Sequence, residues 1–493
     1  MKLSLPLAVS ILFLSTLAPS ALAQAATTRM SVATDGTEGN AGSFTSSISA
    51  DGRYVAFDSQ ASNLVPSDTN AASDVFVRDT RAGTVKRVSL ANDGAEANSY
   101  SYNSAISADG RYVAFESFAS NLVPGDTNGT WDVFVRDTVA NTTQRVSVAT
   151  GGTQGNGDSF NSAISPDGKF VTFFSAASNL VTGDTNAVRD VFVRDMVAGT
   201  TKIVSVATDG TQGNSDSNYS SISADGRYVA FDSNASNLVL GDTNGSADSF
   251  VRDMLQGTTK RVSVANDGAQ GNGGSGYEPS ISADGRYVAF FSDASNLVTG
   301  DANGQNDVFV RDTVAGTTKL VSVASDGTQG NGWSTFSAIS ADGRYVAFAS
   351  YASNLVTGDA NANWDIFVRD TVALTTKRVS VATAGTEGDS FSHYGLSINA
   401  DGRYVAFESN SINLVVGDTN VMRDVFVRGP LFAAPFTTND VQRALQIAGG
   451  LLKATPEELL RYNVVPAGTS AGRVDIQDAV LIARKVAGVA TNP

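Results

Sequence analysis

The apolar residues of this chain fall into short runs that are separated by turn residues. In the first unit, one run extends from Tyr54 to Phe57 and another from Val75 to Val77, with Gly, Asp and Asn between them. Short β-branched and aromatic runs bounded by such residues are typical of β-strands. Because neither run alternates with polar residues, both faces of each strand must be covered. The pattern therefore predicts sheets that pack face to face.

The same pattern repeats along most of the chain. An Asp-Gly pair just before the first apolar run recurs at a spacing of 58 or 59 residues, and such a fixed period is typical of a repeat architecture. The Asp residues of these pairs are Asp51, Asp109, Asp167, Asp225, Asp284, Asp342 and Asp401. Each unit predicts four strands, and four-stranded sheets arranged around an axis form a β-propeller. The sequence therefore predicts an all-β fold with seven blades.

The ends of the repeat region predict how the propeller closes. The third strand of the seventh unit ends near Arg428 and runs into Gly429 and Pro430, which leaves no fourth strand after it. Residues 27–34 match residues 376–383, the fourth strand of the sixth unit, at six of eight positions. We therefore expect the N-terminal strand to complete the seventh blade, because closure removes exposed sheet edges.

One unit also carries a family motif. Its phrase Ser165-Pro166-Asp167-Gly168-Lys169 resembles the motif of TolB-like and WD-repeat-like β-propellers, and the resemblance covers about residues 27–430. The resemblance implies a binding platform, since members of that family mostly bind partners and others accompany catalytic domains. It does not identify a ligand.

Residues 1–23 have the pattern of a secretory signal peptide. Lys2 is followed by an apolar stretch from Leu3 to Leu17 and by a small-residue cleavage site that ends at Ala23. No later segment is long and apolar enough to cross a bilayer. We therefore expect a secreted or periplasmic protein without a membrane span, whose propeller occupies residues 24–430.

Residues 431–493 change to a helical pattern. Apolar residues share one helix face in two segments related by 38 residues: Val441, Ala444, Leu445 and Ala448, and then Ala479, Ile482, Ala483 and Val486. This duplicated module resembles a degenerate dockerin domain, which implies a docking partner. In the matching calcium loop, however, Ala467, Thr469 and Ala471 stand where oxygen ligands are needed.

Composition narrows the class of partner. The chain has 34 Lys and Arg against 49 Asp and Glu, a net charge of −15, and no Cys. An acidic surface repels phosphate backbones, so nucleic acid is not expected as a partner. Without Cys there are no disulfides, so an exported chain must be held together by its core or by metal ions.

A polar motif, Asp-x-Asn-x-x-x-Asp, stands between the second and third strands of every unit. It is a candidate calcium loop, because alternate Asp and Asn place hard oxygens on one side of a turn. The alternative is a structural turn, since Asp and Asn also bond their own backbone two residues on, and this interpretation is favoured. The candidate ligands that we single out are Asp68, Asn70, Asp74, Asp126, Asn128, Asp132, Asp301, Asn303 and Asp307. Calcium is thus a possible ligand, and no cofactor is required.

The loop before each first strand differs between units and often carries an aromatic residue. We expect this loop to emerge at the same end of the propeller as the Asp-x-Asn loop. Aromatic rings beside acidic groups suit a sugar or a protein partner, although such rings also cap strand ends. The candidate ligand-binding residues are Trp131, Tyr277, Glu278, Trp333, Trp364, His393 and Tyr394.

No catalytic residue is assigned. His393 is the single histidine, and no nucleophile motif accompanies it. The sequence thus favours a secreted, non-catalytic binding or scaffold propeller that recognises a glycan or protein through one loop face. The alternative is an extracellular glycan-active hydrolase, or an accessory subunit of one, because acidic residues are plentiful.

Overall fold

The architecture is taken from a computed structural model, which describes residues 24–432, 438–448, 451, 474 and 476–486. The chain divides into two compact units. Residues 25–432 form one unit, and the described residues after 432 belong to the other. The expected signal peptide, residues 1–23, lies outside the described residues.

The first unit consists of seven four-stranded antiparallel sheets, which confirms the predicted seven-bladed propeller. In blades 1 to 6 the strands follow chain order. Their bounds are β2 (Ser43–Ile48), β3 (Tyr54–Ser59), β4 (Asp74–Asp79), β5 (Thr84–Arg87), β6 (Ser101–Ile106), β7 (Tyr112–Ser117), β8 (Asp132–Asp137), β9 (Thr142–Arg145), β10 (Ser159–Ile164), β11 (Phe170–Ser175), β12 (Asp190–Asp195), β13 (Thr200–Ile203), β14 (Ser217–Ile222), β15 (Tyr228–Ser233), β16 (Asp248–Asp253), β17 (Thr258–Arg261), β18 (Ser275–Ile281), β19 (Tyr287–Ser292), β20 (Asp307–Asp312), β21 (Thr317–Leu320), β22 (Ser334–Ile339), β23 (Tyr345–Ser350), β24 (Asp365–Asp370) and β25 (Thr375–Arg378).

Blade 7 joins the two ends of the propeller. Its strands are β26 (Ser397–Ile398), β27 (Val405–Ser409) and β28 (Asp424–Gly429), and its outermost strand is β1 (Ala26–Arg29). Ala26 pairs with Gly429 and Arg29 pairs with Phe426 in antiparallel register. The expected closure by the N-terminal strand is therefore confirmed.

The core lies within and between the blades. In blade 1, Phe57 of β3 and Phe76 of β4 stack with ring centroids 5.8 Å apart, and both are fully buried. Between blades, Val75 of blade 1 belongs to one buried cluster with Val113 and Phe115 of blade 2. The unalternating apolar strands are explained by this arrangement, because each sheet is covered on both faces by its neighbours.

The repeated Asp-Gly phrase forms the turn between the first and second strands. In blade 2, Asp109 accepts the backbone N–H of Arg111 and the hydroxyl of Ser107. Gly110 has a φ of 75°, and a Cβ there would lie 2.2 Å from the ring of Tyr54 in the preceding blade. The glycine is thus needed for the positive φ and for the close contact between blades.

The second unit contains two described helices, α1 (Thr438–Ala448) and α2 (Ile476–Val486). They bury Ala444 together with Ala479 and Ile482. These residues show a small pair of helices and give no support to the resemblance to a dockerin. The loop positions Ala467, Thr469 and Ala471 lie outside the described residues. Among the described helices, none has the length and apolar character needed to cross a membrane.

Candidate ligand-binding site at the axial cavity

A cavity of about 700 Å³ lies on the propeller axis, where the first strands of all seven blades line it. Ser43, at the start of β2, pairs with Ser59 at the end of β3, which pairs with Asp74 at the start of β4. The loop before the first strand and the Asp-x-Asn loop therefore emerge at one end, as the sequence predicted. We call this space the axial cavity.

Seven equivalent residues form a ring in the wall of the axial cavity. Six of the first strands carry a register shift against the second strand of their blade, and in each of them one residue beside the shift has a positive φ. The ring, which we call the bulge ring, consists of Thr45, Asn103, Asn161, Tyr219, Glu278, Phe336 and, at the equivalent place in blade 7, Gly395. Bulges re-aim side chains and are frequent beside functional sites. Here they carry mostly different side chains on an otherwise repeated scaffold.

Four acidic residues lie directly behind the bulge ring. Asp58, Glu116, Asp232 and Glu408 occupy the same position of the second strand in blades 1, 2, 4 and 7. Their exposed fractions are 1%, 5%, 3% and 3%. The equivalent residues of the other three blades are Phe174, Phe291 and Ala349. We call the four acids the inner carboxylates.

Three inner carboxylates accept hydrogen bonds from the bulge ring of the next blade. Glu408 Oε1 accepts the backbone N–H of Thr45 at 2.8 Å. Glu116 Oε2 accepts the backbone N–H of Asn161 at 2.8 Å. Asp58 Oδ1 accepts the backbone N–H of Asn103 at 3.3 Å and the hydroxyl of Thr45. These bonds satisfy N–H groups that the register shift removes from the ladder.

Burial dominates the electrostatics of this region. It raises the pKa of Asp58, Glu116 and Asp232 to about 7, and it also raises the pKa of Glu408. Desolvation by the surrounding protein raises the pKa of the Glu278 carboxyl to about 7. Because this residue is exposed, water in the cavity weakens that desolvation. Removing a carboxylate from water disfavours its charged form.

Aromatic rings cluster at blades 6 and 7, where Phe336 and Tyr394 line the cavity. The His393 ring lies 4.0 Å from Trp364, 5.0 Å from Phe336 and 4.3 Å from Tyr394, measured between centroids. Burial, with help from Arg423, lowers the pKa of His393 to about 4, so its imidazole is neutral at neutral pH. Phe336, Trp364, His393 and Tyr394 form what we call the aromatic wall.

Arg423 contacts both an inner carboxylate and aromatic rings. Its Nη1 lies 3.1 Å from Glu408 Oε2, and its guanidinium lies 5.3 Å from the Phe44 ring centroid and 5.7 Å from that of Tyr394. Aromatic faces and carboxylates attract the same cations. The cavity wall therefore already holds one cation by this combination of groups.

The candidate ligand-binding residues fall into several places. Glu278 and Tyr394 line the axial cavity, and Trp364 and His393 lie in the aromatic wall. Trp131 belongs to a separate aromatic cluster of blades 2 and 3, where its ring centroid lies 5.7 Å from that of Tyr102. Trp333 is 56% exposed, and the side chain of Tyr277 lies outside the described part of the chain.

The inner carboxylates were missed by sequence reasoning. They stand inside runs that were interpreted as core strands, such as Tyr54–Ser59. Their position could have been noticed because it varies between blades. Asp58, Phe174 and Ala349 occupy the same position of the second strand, whose other residues hardly change.

The Asp-x-Asn loops, in contrast, lie next to the outermost strands. In blade 1, Arg87 Nη1 lies 3.4 Å from Asp68, 3.0 Å from Asp74 and 2.8 Å from Glu96. Asn70 donates its amide to Asp74, and its Oδ1 accepts the N–H of Ala72 two residues on. This second bond is the expected structural turn. We call the carboxylates of these loops the outer carboxylates.

In five blades an arginine forms ion pairs with the outer carboxylates. The residues are Arg87, Arg145, Arg261, Arg378 and Arg29. In blade 2, Arg145 Nη1 lies 3.4 Å from Asp126 and 3.2 Å from Asp132, and Asn128 donates to Asp132. The N-terminal strand supplies the arginine of blade 7, so the closure reproduces the pairing of the other blades.

In blade 5 the residue equivalent to the arginine is Leu320. Gln329 Nε2 donates to Asp301 and Asp307, each at 2.8 Å, and Asn303 also donates to Asp307. Calcium needs six to eight oxygen ligands, whereas these oxygens already accept protein N–H groups. Within the described residues, no group of three or more His, Cys, Asp or Glu side chains is arranged to hold a metal ion. Calcium binding stays a prediction for these loops.

No family model matches the chain, and no curated protein matches it. Solved structures with a similar fold include oligogalacturonate lyase from Vibrio parahaemolyticus, at 11% identity and a TM-score of 0.48, over 82% of this chain and 93% of that one. Another is TolB from Acinetobacter baumannii, at 17% identity and a TM-score of 0.36, over 62% of this chain. The match spans 58% of the TolB chain. At such identities these likenesses concern the fold alone, and they place TolB-like propellers among the structural neighbours of this chain.

Proposed function

We propose that this protein is a secreted binding propeller that holds an oligosaccharide at the axial cavity. The observation that carries the proposal is the bulge ring, in which a repeated scaffold presents Thr45 and Asn103 from blades 1 and 2 and, across the axis, Glu278 and Phe336 from blades 5 and 6. Aromatic faces stack on sugar rings, and amide, hydroxyl and carboxylate groups bond sugar hydroxyls.

The size of the cavity supports a small ligand or one end of a longer glycan. At about 700 Å³ it lies within the range of typical ligand sites. A flat protein interface would instead use a broad surface, so the cavity favours the glycan over the protein partner.

A glycan-binding microarray of the full-length protein tests the proposal. We expect binding to at least one oligosaccharide class, and we expect Tyr394→Ala to weaken that binding about tenfold, because it removes a ring from the cavity wall. Leu240→Ala is the matched control, since Leu240 is fully exposed and outside the cavity lining. Equal losses in both variants, or no binding to any glycan, would contradict the proposal.

One observation favours the glycan-active alternative. Glu278 lines the cavity, and the raised pKa of its carboxyl is a property of general acids in glycoside hydrolysis. Incubation with the oligosaccharides that bind, followed by measurement of new reducing ends, decides between the two. We expect intact oligosaccharides; release that is abolished by Glu278→Gln would establish hydrolysis instead.

The export proposal rests on residues 1–23, and the docking proposal on residues 431–493. N-terminal sequencing of protein collected outside the cytoplasm is expected to begin at Gln24. A start at Met1 in that fraction would contradict cleavage of the signal peptide.

A further inference from the structure

The charges around the axial cavity are strongly unbalanced. Glu278 and Glu408 line the cavity, and Asp58, Glu116 and Asp232 lie buried close behind its wall. Against these five carboxyl groups the cavity lining contributes one cation, Arg423, which pairs with Glu408. Among the described residues, no Lys, Arg or His forms a salt bridge with the other four acids.

A second feature of the same wall is a set of serine hydroxyls without partners. Ser104, Ser162 and Ser337 line the cavity and are at least nine-tenths buried. Their Oγ atoms make no hydrogen bond within the described structure. A buried hydroxyl without a partner is costly, so these serines mark polar positions in the wall that the fold leaves unsatisfied. Their oxygens are covered by neighbouring atoms, so they offer a ligand no direct contact.

The aromatic wall adds a third feature that points to the same chemistry. A cation over an aromatic face is attracted by the ring quadrupole, most strongly over Trp and Tyr. Arg423 shows that this wall holds a cation, since its guanidinium lies 5.7 Å from the Tyr394 ring. Glu278 lines the cavity from blade 5 and has no such cationic partner among the described residues.

We propose that the axial cavity selects saccharides that carry primary ammonium groups over neutral and anionic ones. Glu278 and the inner carboxylates supply the negative potential, and Phe336 and Tyr394 of the aromatic wall supply ring faces to the cavity. An ammonium group donates three hydrogen bonds and fits carboxylate acceptors. The inference rests on the proposed function, because it names the class of glycan that binds at the same site.

The test is calorimetric titration of the full-length protein with three oligosaccharides of similar length: oligomers of glucosamine, of N-acetylglucosamine and of galacturonic acid. The first carries ammonium groups, the second is neutral and the third is anionic. We expect the glucosamine oligomer to bind at least about tenfold more tightly than the neutral one, which corresponds to about 1.4 kcal/mol. Galacturonate oligomers are expected not to bind.

Charge variants link the selectivity to the cavity. Glu278→Gln is expected to reduce affinity for the glucosamine oligomer about tenfold and to narrow its preference over the neutral oligomer, because the amide keeps hydrogen-bonding groups and loses the charge. The matched control, Asp267→Asn, removes an equal charge from an exposed turn that Asn also supports. Thermal melting of each variant checks folding, and Asp58→Asn provides a second cavity variant.

The outcomes separate the inference from the proposed function. If the neutral oligomer binds as tightly as the glucosamine oligomer, or the galacturonate oligomer binds best, the inference is overturned while glycan binding stands. If the glucosamine preference persists unchanged in both Glu278→Gln and Asp58→Asn, the inference is also overturned. If no oligosaccharide binds at all, the proposed function itself fails.

Discussion

Two sets of buried carboxylates stand at the same end of this propeller and have different partners. The outer carboxylates, such as Asp74, face an arginine in five blades and an amide in the others. Three inner carboxylates, Asp58, Glu116 and Glu408, accept hydrogen bonds from the neighbouring blade, and among the described residues Glu408 is the one that has an arginine partner. A carboxylate repeated in every blade is thus built into the scaffold, whereas one present in four blades departs from it.

The outer set also follows a rule of charge balance. Each outer site has the two Asp residues of its Asp-x-Asn loop. A third carboxylate, from a Glu, is present only in blades that also have the paired arginine, as Glu96 is beside Arg87. Where Leu320 replaces the arginine, the residue equivalent to Glu96 is Gln329. Buried carboxylates are thus accompanied by a cation or by amide donors, as their desolvation requires.

The largest expected effect comes from removing an outer arginine. Arg87→Leu leaves Asp68, Asp74 and Glu96 together without a cation, and we expect it to lower the free energy of unfolding by about 3–5 kcal/mol. Arg145→Leu is expected to lower it less, because Gln154 still donates to Asp126. Urea unfolding of the two variants measures the difference. Equal stability of Arg87→Leu and the native chain would show that the pairing is not structural.

The next effect is a dependence of stability on pH. Asp58, Glu116 and Asp232 have a folded-state pKa of about 7, above the ordinary value of the unfolded chain. The folded protein therefore binds more protons between about pH 4 and 7, and its stability falls as the pH rises through this window. His393, whose pKa is lowered to about 4, acts in the opposite direction below its ordinary value.

Thermal melting between pH 5 and pH 8 measures the combined effect of these groups on the stability of the fold. We expect the melting temperature to be higher at pH 5.5 than at pH 8, because the three buried acids outweigh the single histidine. At lower pH the stability falls again, since Arg53 and its counterparts lower the pKa of Asp79, Asp137 and Asp312 to about 2. A melting temperature that rises steadily from pH 5.5 to pH 8 would contradict this account of the inner carboxylates.

The smallest expected effect concerns an exposed ion pair of the repeated turn. Arg111 Nη2 lies 2.7 Å from Asp137 Oδ2, but the Arg111 side chain is 40% exposed. We expect Arg111→Gln to change the free energy of unfolding far less than Arg87→Leu does, because water screens the pair. Urea unfolding beside Arg87→Leu measures the contrast, and a loss as large as that of Arg87→Leu would place this pair among the structural ones.

The sequence was informative where a residue recurs in register. The 58-residue period predicted the blades, and the match between residues 27–34 and 376–383 predicted the closure that β1 and β28 make. It was less informative about the site, because a register shift depends on how two strands pair and leaves no motif. Glu278 and Tyr394 were singled out from variable loops, whereas Asp58 was hidden in an apolar run. Its raised pKa follows from burial by neighbouring blades, which one strand cannot reveal.

We infer that the inner carboxylates lower stability and are present for binding, whereas the outer carboxylates hold the fold. The most direct test is urea unfolding at pH 8 of two variants with the same substitution, Asp58→Asn and Asp132→Asn. One oxygen of Asp58 accepts both the Thr45 hydroxyl and the Asn103 N–H. The amide oxygen of an asparagine can accept the same two hydrogen bonds, so Asp58→Asn removes only the buried charge. Asp132 instead receives Asn128 and Arg145 on one oxygen and Ser147 on the other.

We predict that Asp58→Asn raises the free energy of unfolding by about 1–3 kcal/mol and that Asp132→Asn lowers it by a similar amount. Opposite signs would support the distinction between the two sets. A loss of stability in both variants would contradict it, because the inner carboxylates would then be part of the scaffold as well.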